Sequence, residues 1–180
     1  HSTLICPQSL NIPEKTFIES DLTDGDIYIS ADNAELIEEG VSSLSGNAEI
    51  RRKTQQIKAN TINYDEPNDS ASLDGDVKYW DKTLFLKSNK GSLKLDNGSG
   101  EFENAEYILN KSRGIGNAKR LYVDLGKLTE LEKVQYTTCD PDDQFWQLSA
   151  DKISLDHEDN WGKARNVMIK IKNVPVFYSP

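Results

Sequence analysis

Two cysteines, one usable histidine and several close carboxylates are the residues of this chain with types and spacings that could do chemistry. Cys6 lies in Leu-Ile-Cys-Pro-Gln-Ser and Cys139 in Tyr-Thr-Thr-Cys-Asp-Pro, 133 residues apart, and two thiols permit one disulfide without requiring it. His157 sits in the polar stretch Leu-Asp-His-Glu-Asp-Asn-Trp-Gly; a metal site would need further ligands, so a solvated turn is expected there and no metal. Asp-Gly-Asp occurs at 24–26 and 74–76, and Asp140, Asp142 and Asp143 cluster, but none has calcium-loop spacing. A glycosidase acid–base pair would need two carboxylates on a shared dry site, whereas the acidic residues here fall on turns and wet faces. The glycines of Arg-Gly-Ile-Gly-Asn-Ala at 113–118 do not make a phosphate loop, and no nucleophile elbow is present. The expectation is a protein that is not an enzyme and needs no cofactor.

The elements that would position these residues are strands. Leu-Ser-Gly-Asn-Ala-Glu-Ile at 44–50 and Leu-Asp-Gly-Asp-Val-Lys-Tyr at 73–79 alternate apolar or small residues with polar ones, giving one dry and one wet face. The stretches 84–87, 93–96 and 167–172 read likewise. A second unit recurs at Ala31, Ala59 and Ala150: Ala, two polar residues, then apolar, polar, apolar. The double polar step breaks the alternation and predicts a bulge or bend. The two units interleave with a period near 28 residues, separated by turn signals such as 66–69, 96–100 and 110–114, with Asn97-Gly98 reading as a two-residue hairpin turn. Glycines 46, 75, 100, 116 and 162 within strand patterns predict sharp bends. No amphipathic helix of ordinary length is expected, and 34–44 reads as a turn.

The 180 residues suit one domain, and a mean hydropathy of -0.65 leaves much of it wet. A net charge of -9 argues against a nucleic-acid partner, and Arg51-Arg52-Lys53 reads as a solvated strand end. No run approaches the length of a membrane helix. The dry face carries Ile50, Ile57, Ile62, Tyr64, Leu73, Val77, Tyr79, Leu84, Leu86, Leu93, Leu95, Phe102, Tyr107, Leu121 and Val123. In a closed sandwich these make the core; in an open, curled sheet they line a groove.

The closing motifs Tyr-Thr-Thr-Cys-Asp-Pro, Trp-Gln-Leu-Ser-Ala-Asp-Lys-Ile and Val-Pro-Val-Phe-Tyr-Ser-Pro resemble the periplasmic N-terminal domain of the LptD family. That family assembles lipopolysaccharide at the outer membrane of Gram-negative bacteria. The central repeats, Ile-Lys-Ala-Asn-Thr-Ile-Asn-Tyr among them, are similar to those of the related LptA and LptC families. The resemblance implies an all-β fold: a V-shaped, twisted antiparallel β-jellyroll with an open apolar groove in which those fifteen side chains bind lipid A acyl chains.

His1 and Ser2 read by themselves as a tag remnant, and the resemblance makes residues 3–25 an N-terminal extension carrying Cys6. Residues 26–172 are then the jellyroll, and 173–180 a junction toward an outer-membrane barrel. The resemblance implies LptA docking by strand addition on Ile27, Ile29, Ala31, Ala34 and Leu36, and contact with the barrel and its plug lipoprotein LptE. It also implies that Cys6 and Cys139 bond to the barrel in the mature protein and to each other in an assembly intermediate; without barrel partners they are free or mutually paired. The other readings are a closed β-sandwich scaffold and a carbohydrate-binding β-domain, the latter needing an aromatic platform from Trp80, Trp146 and Trp161.

Overall fold

A computed structural model describes Cys6, Pro13, Thr23 and residues 25–180 apart from 53, 111, 112, 126 and 143. Among the described residues the chain is all β. In chain order the strands are β1 (Tyr28–Ser30), β2 (Asn33–Glu35), β3 (Val41–Arg52), β4 (Gln55–Asp65), β5 (Ser70–Trp80), β6 (Leu84–Lys94) and β7 (Ser99–Leu109). They continue with β8 (Ile115–Asp124), β9 (Leu128–Thr137), β10 (Trp146–Asp156), β11 (Trp161–Arg165), β12 (Val167–Ile171) and β13 (Val174–Ser179). All 13 lie in one sheet of order β1-β3-β4-β5-β6-β7-β8-β9-β10-β12-β13, and every pairing is antiparallel. Successive strands joined by short turns explain the meander, since a tight turn returns the chain beside itself.

Both end strands are split. Along one edge of β3, β2 pairs with 43–45 and β1 with 49–51. Along one edge of β10, β12 pairs with 146–149 and β11 with 152–156. The breaks align with a crease crossing every strand. Positive φ angles occur at Asn47, Asp76, Asn104 and Lys133, on the alternate strands β3, β5, β7 and β9, and at Asn166 between β11 and β12, at a recurrence of 28–33 residues. Asn and Asp tolerate this left-handed backbone better than other residues with a Cβ. Gly46 and Gly75, at φ of 72° and 74°, double the bend in β3 and β5. The ladder slips at the same level, between Ser45 and Ala48 in β3 and between Asp74 and Val77 in β5.

The residue following each of the first four bends is Ala48, Val77, Ala105 or Val134, all buried. Their cross-strand partners Ala59, Ser88, Ala118 and Ala150 are buried too. Small side chains line the crease because the two halves of the sheet converge there. The repeat predicted at Ala31, Ala59, Ala150, Gly46 and Gly75 is this line. Gly100, Gly116 and Gly162 lie off it: Phe102 packs over Gly100, and the Gln135 backbone lies against Gly116, so these two serve close approach rather than bends. The turn at Asn97-Gly98 is also longer than predicted, with residues 95–98 linking the strands and Gly98 N donating to Lys94 O at 2.8 Å. Leu95 is buried, and the extra residues let it point inward.

The crease folds the sheet onto itself. Tyr79 pairs through Leu86 with Tyr107, so in a flat sheet Phe102 would lie five residues along β7, roughly 16 Å away at about 3.3 Å per residue. Instead the rings of Tyr79 and Phe102 have centroids 5.2 Å apart. One arm therefore holds 48–52, 55–58, 77–80, 84–88 and 105–109; the facing arm holds 41–45, 61–65, 70–74, 90–94 and 99–103. The dry faces of the arms meet as one core.

At the far end, ion pairing pins the crease. Lys133 Nζ donates to Asp151 Oδ1 at 2.6 Å, and Asn166 Nδ2 donates to Asp151 Oδ2 at 2.5 Å. These two hydrogen bonds hold the Asp151 carboxyl below its ordinary value of 3.8. A depressed carboxyl pKa stabilises the fold above the unfolded pKa and loses that contribution as pH falls through the folded one. Asp151→Asn is therefore expected to be less stable than wild type at pH 7, with the gap closing as the pH is lowered through and below the ordinary 3.8. Urea unfolding above and below that pH checks this; a gap independent of pH would overturn it.

Candidate functional site

The interior between the arms is where the predicted site residues lie. Ile50, Ile57, Ile62, Leu73, Val77, Tyr79, Leu84, Leu86, Leu93, Leu95, Phe102, Tyr107, Leu121 and Val123 are buried, and Tyr64 is half-buried against the same core. Apart from Tyr107, which borders a cavity, these residues lie where the arms touch and the interior is filled.

Polar groups close its rim. Gln55, fully buried at the start of β4, donates from Nε2 to Gly98 O of the opposite arm at 2.8 Å and to the Tyr79 hydroxyl at 3.0 Å. Tyr79 in turn donates to Asp81 Oδ2 at 2.8 Å. Burial, reinforced by Asp81, pushes the Tyr79 phenol well above its ordinary pKa, so it stays a neutral donor. Asp81 Oδ1 accepts from Thr83 N at 2.6 Å, Thr83 Oγ1 at 2.7 Å and Leu84 N at 2.9 Å, an Asx-type turn that fixes the β5–β6 connection.

Arg52 departs from the expected solvated strand end: its Nε and Nη2 are buried without hydrogen-bond partners among the described residues. Burial lowers its pKa, and the facing Asp69 and Asp96 of the other arm oppose that shift. Asp81 and Glu49 are likewise buried, against the expectation that acidic groups lie on wet faces and turns. Turn acids satisfied by backbone donors can be buried, which alternation does not reveal.

Toward β9–β11 the arms separate around a cavity of about 470 Å³. Tyr107, Leu109, Leu131, Tyr136, Leu148, Ile153, Leu155 and Trp161 form its walls, with Asp156, His157, Asn160 and Lys163 also lining it. Of the predicted groove residues only Tyr107 lines this cavity. Burial raises its pKa, and its hydroxyl donates to Gln135 O at 2.7 Å. The alternation after Ala150 was the signal that could have found Ile153 and Leu155. His157 is half-buried rather than solvated, with Nε2 2.8 Å from Thr129 Oγ1.

The outer face of the first arm carries the cysteines. Of the two expected states, free or mutually paired, the structure holds the second: Cys6 is bonded to Cys139, which is fully buried beyond β9. Thr137 Oγ1 shapes that loop, donating to Trp146 O at 2.6 Å and accepting from Cys139 N at 3.1 Å. Pro13 O accepts from Trp80 Nε1 at 2.8 Å, while the Trp80 ring packs on Phe85. Trp146 meets Tyr136, and Lys163 lies over Trp161. Among the described residues no two tryptophans stack together, and no three potential metal ligands cluster.

Both ends of the sheet are open edges. On one, Ile27, Ile29 and Leu36 are exposed, Ala34 is exposed and Ala31 half-buried. On the other, β13 exposes Val174, Val176, Phe177 and Tyr178. Residues 174–179, expected as a junction, are a strand of the same sheet.

A single antiparallel sheet, creased along its middle and closed on its own dry face, defines a β-jellyroll open at both edges. The profile of the family described as LptA/(LptD N-terminal domain) LPS transport protein matches residues 28–161, and the chain belongs to that family. The family is one of transport proteins, not of enzymes. An LPS-assembly protein LptD from Nitrosococcus oceani is 38% identical over 156 residues, covering 87% of this chain and 21% of the relative. One from Pseudomonas fluorescens is 33% identical over 143 residues, covering 79% and 15%. The chain thus spans about a fifth or less of the length of these relatives. The crystal structure of LptH, the LptA-homologous periplasmic component of the Pseudomonas aeruginosa lipopolysaccharide transport device, is similar at a TM-score of 0.49 and 16% identity. That likeness covers 56% of this chain and 76% of LptH.

Proposed function

We propose that this domain works at the periplasmic face of the Gram-negative outer membrane. It takes lipopolysaccharide from LptA and passes the acyl chains between its two arms toward the membrane barrel of the same protein, where LptE is the plug lipoprotein. The observation that supports this reading most is the dry face, continuous from β3 to β10 and widening into the cavity of about 470 Å³. Each buried methylene is worth about 0.8 kcal/mol, so an acyl chain crosses an aqueous space only along an unbroken apolar track. The unpaired edge at β1 and β2 suits strand addition by LptA, and the β12–β13 edge suits continuation toward the barrel. No cofactor enters this scheme.

The arm-to-arm contacts at Tyr79, Phe102 and Gln55 favour a second reading, a closed scaffold that only supports the barrel. Photocrosslinking to lipopolysaccharide in cells making the full-length protein separates the two. Probes at Leu148 and Ile153 are expected to give adducts, as are Ile62, Tyr79, Leu86 and Phe102 while ATP-driven transport runs; exposed Lys82 gives none. Absence of adducts at every inward position in correctly assembled protein would leave the scaffold.

A further inference from the structure

We propose that Gln55 is the latch of a gate: its carboxamide ties the tips of the two arms together, and an acyl chain reaches the centre of the interior only when this tie breaks. The inference rests on the lipid-carrying reading above and locates where that passage is shut.

The interior is unequal along its length. At the β9–β11 end it holds a cavity lined by Leu131, Leu148, Ile153 and Leu155. At the centre it is filled, with Tyr79 on Phe102 across the gap. The rim of the filled part is polar, unlike the core beneath it. Gln55 Nε2 spends one proton on Gly98 O of the facing arm and the other on the Tyr79 hydroxyl. Asp81 holds that hydroxyl, and the β5–β6 turn holds Asp81, so Gln55 is aimed across the gap from a fixed base.

The closed state is also incompletely satisfied. Among the described residues, Gln55 Oε1 and the Nε and Nη2 of its cross-strand neighbour Arg52 are buried without partners. Orphaned buried polar atoms penalise the closed state and regain water when the arms part. A static core would fill this rim with apolar side chains; a rim that both bonds across the gap and carries unmet donors and acceptors is balanced between two states. Arg52 faces Asp69 and Asp96 on the opposite arm, adding an attraction that salt weakens.

The test uses this chain with its disulfide intact. Spin labels are attached through ketone-bearing residues replacing Lys82 on one arm tip and Lys127 on the other, both exposed. Electron–electron distance measurements are run on wild type and on Gln55→Leu, which keeps the packing volume. Uptake of a fluorescent fatty acid is followed in parallel. Wild type is expected to give mainly the short distance, with a minor longer one. Gln55→Leu should shift population to longer distances by roughly fivefold, the weight of one net hydrogen bond, with a matching rise in uptake. Tyr79→Phe keeps the ring on Phe102 but frees Gln55 from its base, and gives a smaller shift in the same direction; it also serves if Gln55→Leu fails to fold. Distances unchanged in the folded variants overturn the latch, whatever the uptake. Longer distances without any uptake uphold the latch and instead overturn the lipid reading.

Discussion

Reduction of the Cys6–Cys139 bond is expected to lower the unfolding free energy by up to about 5 kcal/mol at 25 °C, the chain-entropy value for so long a loop. The bond closes a sequence separation of 133 residues, so in the unfolded chain it restricts most of the molecule. Cys139 is fully buried and its loop is held by Thr137, so the native side of the balance is well ordered. Both anchor points of the N-terminal segment, Cys139 and the Trp80–Pro13 hydrogen bond, lie on the outer face of the first arm. Reduction should therefore weaken the whole domain without prising the arms apart. Urea unfolding with and without reductant, alongside Cys6→Ser/Cys139→Ser, measures the loss. A loss below ~1 kcal/mol, the scale of one net hydrogen bond, would mean that the reduced chain stays as restricted as the bonded one.

Much of this architecture is legible because a half-buried strand writes its face into alternate residues. The period near 28 was visible because the crease demands a small residue and a bend at the same level in every second strand. Ala48, Val77, Ala105 and Val134 keep that place, each following a left-handed residue. Glycine was the wrong marker for the whole line: after Gly46 and Gly75 the bend passes to Asn104 and Asn166, a residue type that tolerates this backbone, and to Lys133, whose side chain pairs with Asp151.

What alternation cannot carry is the third dimension. It assigns Phe102 and Leu148 to one face but does not say that the arms touch over the first and part over the second. It also misses groups whose burial depends on a partner far along the chain. Arg52 and Gln55 sit in a polar turn stretch by sequence, yet folding brings them to Asp69, Asp96 and Gly98 on the other arm. Asp81 looks like any turn acid until Tyr79, Thr83 and the Leu84 amide are seen converging on it.

The contrast between centre and mouth sets the last expectation. Phe102→Ala should cost about 3–5 kcal/mol, the range for emptying an aromatic site that cannot collapse. Phe102 has no exposure, packs on Tyr79 of the facing arm, and lies over the backbones at Gly91 and Gly100, which offer no side chain to move into the void. Leu148→Ala removes a side chain of the same dry face, but Leu148 is half-buried and already borders open space, so about 1 kcal/mol is expected, the ordinary cost of a point substitution. Thermal or urea unfolding of the two variants gives the comparison directly. A large gap means that the interior is shut at β5–β7 and open at β9–β11, and Phe102→Ala should then admit more fluorescent fatty acid as the stacked contact between the arms is lost. Equal costs would mean that the interior packs alike along its length, and the division into a closed centre and an open mouth would fall.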